Sequence, residues 1–327
     1  MKKLMMICMS LLMVASLAAC GDQSKKEDKT YKIGLVQLMS HTSLNTIKDS
    51  IVKELKKEGY VDGDNIEIDF QNAGGDIANL DTICKQYKSE GVDVIVAITT
   101  PAAQAAAPYA EEIPVIFSAV SDVKAAGLTN NLEKPDLNIT GTSDEIQVSS
   151  IMDLATEMYP EAKTVGYIYN SGEANSVANL KKLEKYAKAN NLNVEKAAVT
   201  NAADIQTGLA SLLDKCDMIF SPTDNTVANA MAQVSEMCNE AQIPFFSGAD
   251  SMVQDGALAT YGINYESLGK ETAKMAVKVL TGTKVEDIPV KVFKKDLNLY
   301  INTTTAEKIG FTKIDSLKDK YKVVEFN

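Results

Sequence analysis

Thr99-Thr100-Pro101 is the stretch whose chemistry is easiest to read. Proline suits the first turn of a helix, because its ring presets φ and its missing N–H is one of the turn's unpaired donors. A helix start with two hydroxyls beside it is therefore predicted here, and its free N–H groups and partial positive charge attract a carboxylate. This matters because the chain has no Arg: all 33 basic residues are Lys. A ligand carboxylate cannot be gripped by a guanidinium fork and needs hydroxyls, backbone N–H groups or a Lys. The same threonines can also cap the helix with no ligand present. A cationic ligand group needs acceptors, above all a carboxylate shielded from water. Asp224 and Asp250 lead that group, followed by Glu173, Asp122 and Asp144, and each is equally readable as a loop acid or helix cap. Gln37, His41 and Gln104 are neutral side chains able to hydrogen-bond a polar group of a bound molecule. His41 is the single histidine; its bland reading is a helix cap, and if it titrates, affinity varies between about pH 5 and 8.

Covalent chemistry finds no support. The chain has no GxGxxG, P-loop, GxSxG or HExxH pattern, and those are the arrangements that bring phosphates, nucleophiles or zinc into place. With one His, acid–base work would fall to carboxylates. No catalytic residue, cofactor or metal site is expected. Cys84, Cys216 and Cys238 are widely spaced, odd in number and without metal-ligand spacing; they read as small buried hydrophobes, and nothing supports a Cys216–Cys238 disulfide. The formal charge of −11, taken to −13 by removal of Lys2 and Lys3, makes nucleic acid or an anionic bilayer face a poor partner.

The elements that must position these groups alternate. Strands are predicted over Lys32–Leu38, Asn65–Gln71, Asp93–Ile98 and Pro114–Ala119, with a helix over Ser43–Glu58 that carries Leu44, Ile47, Ile51 and Leu55 at helical spacing and stops at Gly59. A second set follows: strands over Thr164–Tyr169, Asn193–Val199, Asp217–Phe220 and Pro244–Ser247, with a helix over Asn175–Ala189. The sets match piece by piece. KIGLVQLMSHTSL pairs with TVGYIYNSGEANS, GVDVIVAITTPAAQA with KCDMIFSPTDNTVANA, and IPVIFSA with IPFFSGA. Alternation of strand and helix with continuous apolar strands predicts parallel sheets covered on both faces, so two similar α/β lobes are expected. Ligands of such sheets bind beyond the carboxyl ends of the strands. Those ends carry Gln37 and His41, then Thr99, Thr100 and Gln104, then Ser118, Ser121 and Asp122 in the first lobe. In the second they carry Asn170, Ser171, Glu173, Asn175 and Ser176, then Thr223, Asp224 and Asn225, then Asp250.

The N-terminus is an address. Lys2 and Lys3 precede an apolar run from Leu4 to Ala18 that ends in Leu17-Ala18-Ala19-Cys20. A charged start, a short apolar stretch and small residues at its end read as a secretory signal over residues 1–19; the run is shorter than the ~20 apolar residues of a spanning helix. Leu-Ala-Ala-Cys resembles the lipobox of bacterial lipoproteins. That resemblance implies a diacylglyceryl thioether on Cys20, with palmitate-type chains, and two such chains anchor stably where one is marginal. Residues 20–30 are too polar to order themselves and are expected to form a flexible tether.

From Tyr31 to the end the chain resembles the type I periplasmic-binding-protein fold, and within it the ABC-transporter substrate-binding family that includes tryptophan- and tyrosine-binding lipoproteins. The residues that carry the likeness are GLVQ…H, TTPAAQA, SAVSD, GTSDE, NSGEANS and SPTDNT, in that order at the strand ends, together with ALATYGINYESLGKETAKMAVKVLTG (Ala257 to Gly282) with its capping turn at Tyr265-Glu266-Ser267. The resemblance implies two doubly wound parallel-sheet lobes joined by three crossovers, the last a strand like Val290–Ile301. Lobe 1 would hold residues 31–143 plus 264–289, and lobe 2 residues 144–263 plus 290–327. It implies a monomeric, lipid-anchored receptor on the outer face of the cell membrane. Such a receptor closes on a small molecule, expected to be tyrosine or tryptophan, and delivers it to an ABC permease; the α-amino group of that ligand would fall to the acidic candidates and its phenol or indole to Gln37, His41 or Gln104. A sugar site would carry stacking aromatics, and the chain has no Trp. Other solutes of this fold, such as branched-chain amino acids and amides, remain open, as does a sensory or host-surface adhesion role for the same lobes. A LacI-like regulator would need a helix-turn-helix headpiece where this chain has a signal sequence.

Overall fold

Strand and helix alternate to build two sheets in succession. The computed structural model describes residues 30–294 and 297–327; the expectations for the signal sequence, the Cys20 lipid and all but the last residue of the tether lie outside the described residues. Residues Tyr31–Asn327 form one compact unit. Its first part comprises β1 (Tyr31–Gln37), α1 (Thr42–Lys57), β2 (Ile66–Asn72), α2 (Ile77–Glu90), β3 (Val94–Ile98), α3 (Thr100–Ala106), β4 (Val115–Ser118) and β5 (Ile139–Ser143). The second comprises α4 (Val148–Met158), β6 (Thr164–Asn170), α5 (Ala174–Ala189), β7 (Asn193–Val199), α6 (Ile205–Leu213), β8 (Met218–Ser221), α7 (Asn225–Asn229), α8 (Met231–Glu240), β9 (Phe245–Ser247), α9 (Asp250–Gln254) and β10 (Ala259–Gly262). The chain ends with α10 (Tyr265–Leu280), β11 (Lys291–Val292), β12 (Asn298–Asn302), α11 (Thr303–Lys308), α12 (Ile314–Lys318) and β13 (Val323–Phe326).

The first sheet has the order β11-β5-β4-β3-β1-β2 and is parallel throughout. The second has the order β13-β12-β10-β9-β8-β6-β7. It is parallel from β7 to β10, and β12 then runs antiparallel to β10 with β13 parallel to β12. Every residue of β3, β4 and β5 is buried, which is why their sequences lack the alternation of a one-sided sheet. Strand order reverses between β1 and β3, and again between β6 and β8. At such a switch point the connections leave to opposite faces and open a crevice.

The chain passes between the sheets after β5, after β10 and after β11. The second lobe does not take everything from residue 290, contrary to the expectation from sequence. Lys291 and Val292 pair with Thr142 and Ser143 in the first sheet, and the single strand expected over Val290–Ile301 is two, one in each sheet. Val290 is buried in the first lobe's core, so the chain stays with that sheet until this apolar anchor is placed. The capping turn expected at Tyr265 shifts by one residue: Asn264 is the cap, its Oδ1 accepting from Ser267 N at 3.0 Å. This fixes where α10 starts and hence where Tyr265 points. Gly269 lets α10 press against α1, because a Cβ there would stand 2.6 Å from the Ile47 carbonyl. Cys84, Cys216 and Cys238 are free and buried; burial raises their thiols to about 12, about 11 and about 12 respectively.

Candidate functional site

The strand ends of both sheets line one enclosed cavity. The first lobe contributes His41, Ser43, Leu44, Ile47, Thr99, Thr100, Ala119 and Ser121. The second contributes Asn175, Thr223, Asp224, Asn225, Ala228, Ala249 and Met252, and Asp144 and Tyr265 come from two of the passages between the sheets. The cavity's free volume is about 20 Å³, room for little more than one water molecule. A ligand of amino-acid size therefore enters only when the lobes part. Side chains meet across the cleft: Ser121 Oγ and Thr223 Oγ1 at 2.7 Å, His41 Nε2 and Asn225 Oδ1 at 3.3 Å, and the hydroxyls of Ser43 and Ser251. At the edge, Lys182 lies 3.8 Å from Asp122.

The first lobe's rim is strained and uncharged. Thr99 caps α3, its Oγ1 accepting from Ala102 N at 3.3 Å, with φ 97° and ψ 161°. That backbone region belongs essentially to glycine and costs a β-branched residue about 1–3 kcal/mol. Thr100 follows, buried against the cavity.

Carboxylates dominate the second lobe's rim, and they are occupied by the protein itself. Asp224 accepts from Val227 N at 3.0 Å, Asn170 N at 2.7 Å and Ser176 Oγ at 2.6 Å. Glu173 accepts from the backbone N–H groups of Asn225 and Thr226 at 3.1–3.2 Å and from Asn225 Nδ2 at 2.6 Å. Burial, and then the Asp224 charge beside it, pushes the Glu173 carboxyl up to about 8, against the pull of the Asn225 and Asn175 hydrogen bonds. Burial also raises Asp224 above its ordinary value.

A third carboxylate stands in the passage after β5. Asp144 accepts from Ser121 Oγ at 2.9 Å and from Tyr265 OH at 2.8 Å. Burial raises its pKa, and the Tyr265 and Ser121 hydrogen bonds oppose that. Asn175, 3% exposed, presents an Oδ1 without a partner among the described residues while its Nδ2 donates to Thr223 O at 2.9 Å.

Of the residues singled out from sequence, His41, Thr99, Thr100, Thr223, Asp224 and Asn225 line the cavity, together with Ser121, Asp144 and Asn175. The others do not. Gln37 Nε2 donates to Met39 O at 2.9 Å and Asn45 Oδ1 at 3.2 Å, and Gln104 Nε2 donates to Ala126 O at 3.2 Å. Ser118 shares a buried hydroxyl cluster with Thr272 and Thr142. Asp122 accepts from Ala125 N at 3.0 Å outside the cavity. Asn170 and Ser176 brace Asp224, and Ser171 is exposed. Glu173 faces the start of α7. Asp250 accepts from Ser251 N at 2.8 Å, and burial lifts its carboxyl to about 6. His41 occupies the cap position of α1 but makes no capping bond. Burial lowers its pKa to about 4, so it stays neutral over the pH 5–8 window in which titration was expected to modulate affinity. Sequence reasoning missed Ser43, the apolar wall of Leu44, Ile47, Ala228 and Met252, and Tyr265. The two α1 residues share the spacing of core positions, and Tyr265 reads as part of a helix start, so only the fold reveals them.

Comparison with known proteins agrees with this geometry. Residues 32–323 match the family model described as ABC transporter substrate binding protein. A tyrosine-binding protein of Clostridioides difficile is 38% identical over 98% of this chain and 95% of its own length. A Streptococcus pneumoniae ABC domain in complex with L-Trp superposes with a TM-score of 0.86 at 36% identity, covering 90% of this chain and 100% of that one. The ligand-free, open structure of a Clostridium difficile substrate-binding protein with adhesive properties is 39% identical, covers 91% and 100%, and scores 0.68. Two sheet-based lobes, a cavity between them and a match spanning nearly the whole chain lead to one assignment: this chain belongs to the ABC transporter substrate-binding proteins, a family of solute receptors and not of enzymes.

Proposed function

We propose that the chain is the receptor of an importer for an aromatic amino acid, tyrosine or tryptophan, which it holds between the closed lobes. The observation that carries this is the division of the cavity wall. Thr99, Thr100, Ser121, Asp144 and Thr223 are polar, while Leu44, Ile47, Ala228 and Met252 are apolar. The threonine hydroxyls and nearby N–H groups suit a carboxylate without Arg, Asp144 and the free Asn175 Oδ1 suit an ammonium, and the apolar wall suits a ring. Ligand contact with both lobes stabilises closure, since only differential affinity for the closed form shifts the population. The tyrosine-binding and L-Trp-bound relatives support the ligand class. The higher TM-score to the L-Trp complex than to the open, ligand-free relative, despite similar identity, fits a closed arrangement.

Lipid on Cys20 would hold the receptor at the membrane surface beside its permease. No helix among the described residues is long and apolar enough to cross a membrane. The relative with adhesive properties supports a second role for the same surface in attachment.

A thermal-shift screen of the chain from residue 21 against all amino acids and common sugars tests the ligand. Tyrosine or tryptophan at about 100 Kd adds about 2.7 kcal/mol of stability. No shift with either, alongside a clear shift with another solute, removes the aromatic assignment. Cys20→Ala tests the anchor, with release of the protein from membranes as the expected outcome.

A further inference from the structure

One acceptor in the cavity has its identity set from the opposite lobe. The fixed backbone donors of Asn225 and Thr226 converge on the two oxygens of Glu173. The Asn225 amide bridges the cleft, with its Nδ2 toward Glu173 at 2.6 Å and its Oδ1 toward His41 Nε2 at 3.3 Å. An amide oxygen only accepts, so the imidazole carries its proton on Nε2. His41 is neutral because burial holds its pKa at about 4. Nδ1 is then a bare lone pair. It is buried and has no partner among the described residues, on a residue that lines the cavity.

Topology says which end of the ligand it faces. Strands β5, β4, β3 and β1 lie side by side, so the chain leaves β1 toward His41 three strands away from where it leaves β5 toward Asp144. Leu44 and Ile47 follow His41 on α1, and Ala228 shares α7 with Asn225. Apolar lining thus adjoins His41 on both lobes, and Asp144 belongs to a different strand end. The other two residues considered for a ring contact, Gln37 and Gln104, do not line the cavity.

We propose that His41 Nδ1 selects the ring, accepting a hydrogen bond from the phenol O–H of tyrosine or the indole N–H of tryptophan, with Asn225 and Glu173 as positioning residues that fix the tautomer when the lobes close. This rests on the aromatic reading of the cavity given above. A plain phenyl ring leaves the lone pair buried and unpaired, and a site built to receive a hydrogen bond discriminates against the analogue lacking it.

Calorimetric titration of the full chain in detergent with L-tyrosine, L-tryptophan and L-phenylalanine provides the test. The wild type binds tyrosine at least about tenfold more tightly than phenylalanine. His41→Leu weakens tyrosine but not phenylalanine and brings that ratio near one, while His41→Asn, which can return a side-chain oxygen near the Nδ1 position, retains part of it. Because His41 is the only histidine, its ¹⁵N shifts are read without assignment, and the tyrosine complex shows the Nε2–H tautomer. Equal weakening of tyrosine and phenylalanine in His41→Leu, or an Nδ1–H tautomer in the complex, overturns the proposal. Equal wild-type affinity for tyrosine and phenylalanine leaves the aromatic site standing and removes the role of His41. Binding of none of the three removes both.

Discussion

Thr99-Thr100 in the first lobe and Thr223-Asp224 in the second occupy equivalent places in the repeat, each beyond the carboxyl end of a buried strand, β3 or β8, and opening a short helix. They have diverged in opposite ways. Thr99 is twisted to φ 97°, whereas Thr223 is not among the positive-φ residues. The first helix start is capped by a neutral hydroxyl, the second by Asp224 with Glu173 covering the next N–H groups. The second lobe thus covers its helix start with carboxyl groups of its own chain, where the first offers only a hydroxyl. A carboxylate at a strand end is therefore poor grounds for a ligand contact, because the fold itself consumes carboxylates at such ends.

The largest effect should come from breaking the self-supplied side. Asp224→Ala removes a cap and leaves the Asn170 N–H and Ser176 hydroxyl without a partner, at a cost of about 3–5 kcal/mol in urea unfolding. Wild-type stability with lost ligand binding would return Asp224 to the ligand and collapse the contrast between the rims. Asp250, raised to about 6 from 3.8, should come next. The native state holds this proton where the unfolded chain releases it, so stability is lost as pH rises from about 4 through 6. Asp250→Asn keeps an acceptor for Ser251 N. It should match the wild type near pH 4 and exceed it at pH 7 by up to about 3 kcal/mol, read from denaturation midpoints at the two pH values. A constant difference across that range would place the ionisation elsewhere.

On the ligand-facing side, Thr100→Val preserves shape and removes a hydroxyl. Stability should change by less than about 1 kcal/mol while affinity for the amino acid falls about 10–100-fold, measured by calorimetry. Unchanged affinity would mean that the carboxylate does not sit at this rim.

The architecture was legible because burial writes itself into composition. VIVAI in β3 and MIF in β8 admit no polar alternation, and the repeat confirms the reading. Lys291-Val292 was not, since a strand of two residues leaves no periodicity. The site was legible by strand end but not by side chain. Gln37, Ser118, Ser176, Glu173 and Asp250 all sit where a ligand group belongs, and in each the hydrogen bonds that claim it come from residues remote in sequence or from neighbouring backbone. Leu44 and Ile47 were hidden for the converse reason: a residue that lines a closed cavity has the same helical spacing as one that fills a core.

The smallest expected effect is on Thr99 itself. Glycine adopts its backbone angles without strain, and replacing a capping threonine by glycine costs only a few tenths of a kcal/mol. Thr99→Gly should therefore stabilise the chain by about 1 kcal/mol net, seen as a raised midpoint in urea. The freed backbone no longer holds Thr100 in place before the ligand arrives, so affinity should fall modestly, about two- to fivefold, through the ordering cost now met on binding. The equivalent change in the other lobe, Thr223→Gly, relieves no strain and should destabilise. If both glycines destabilise alike, Thr99 is held without cost, and the rims differ in charge alone.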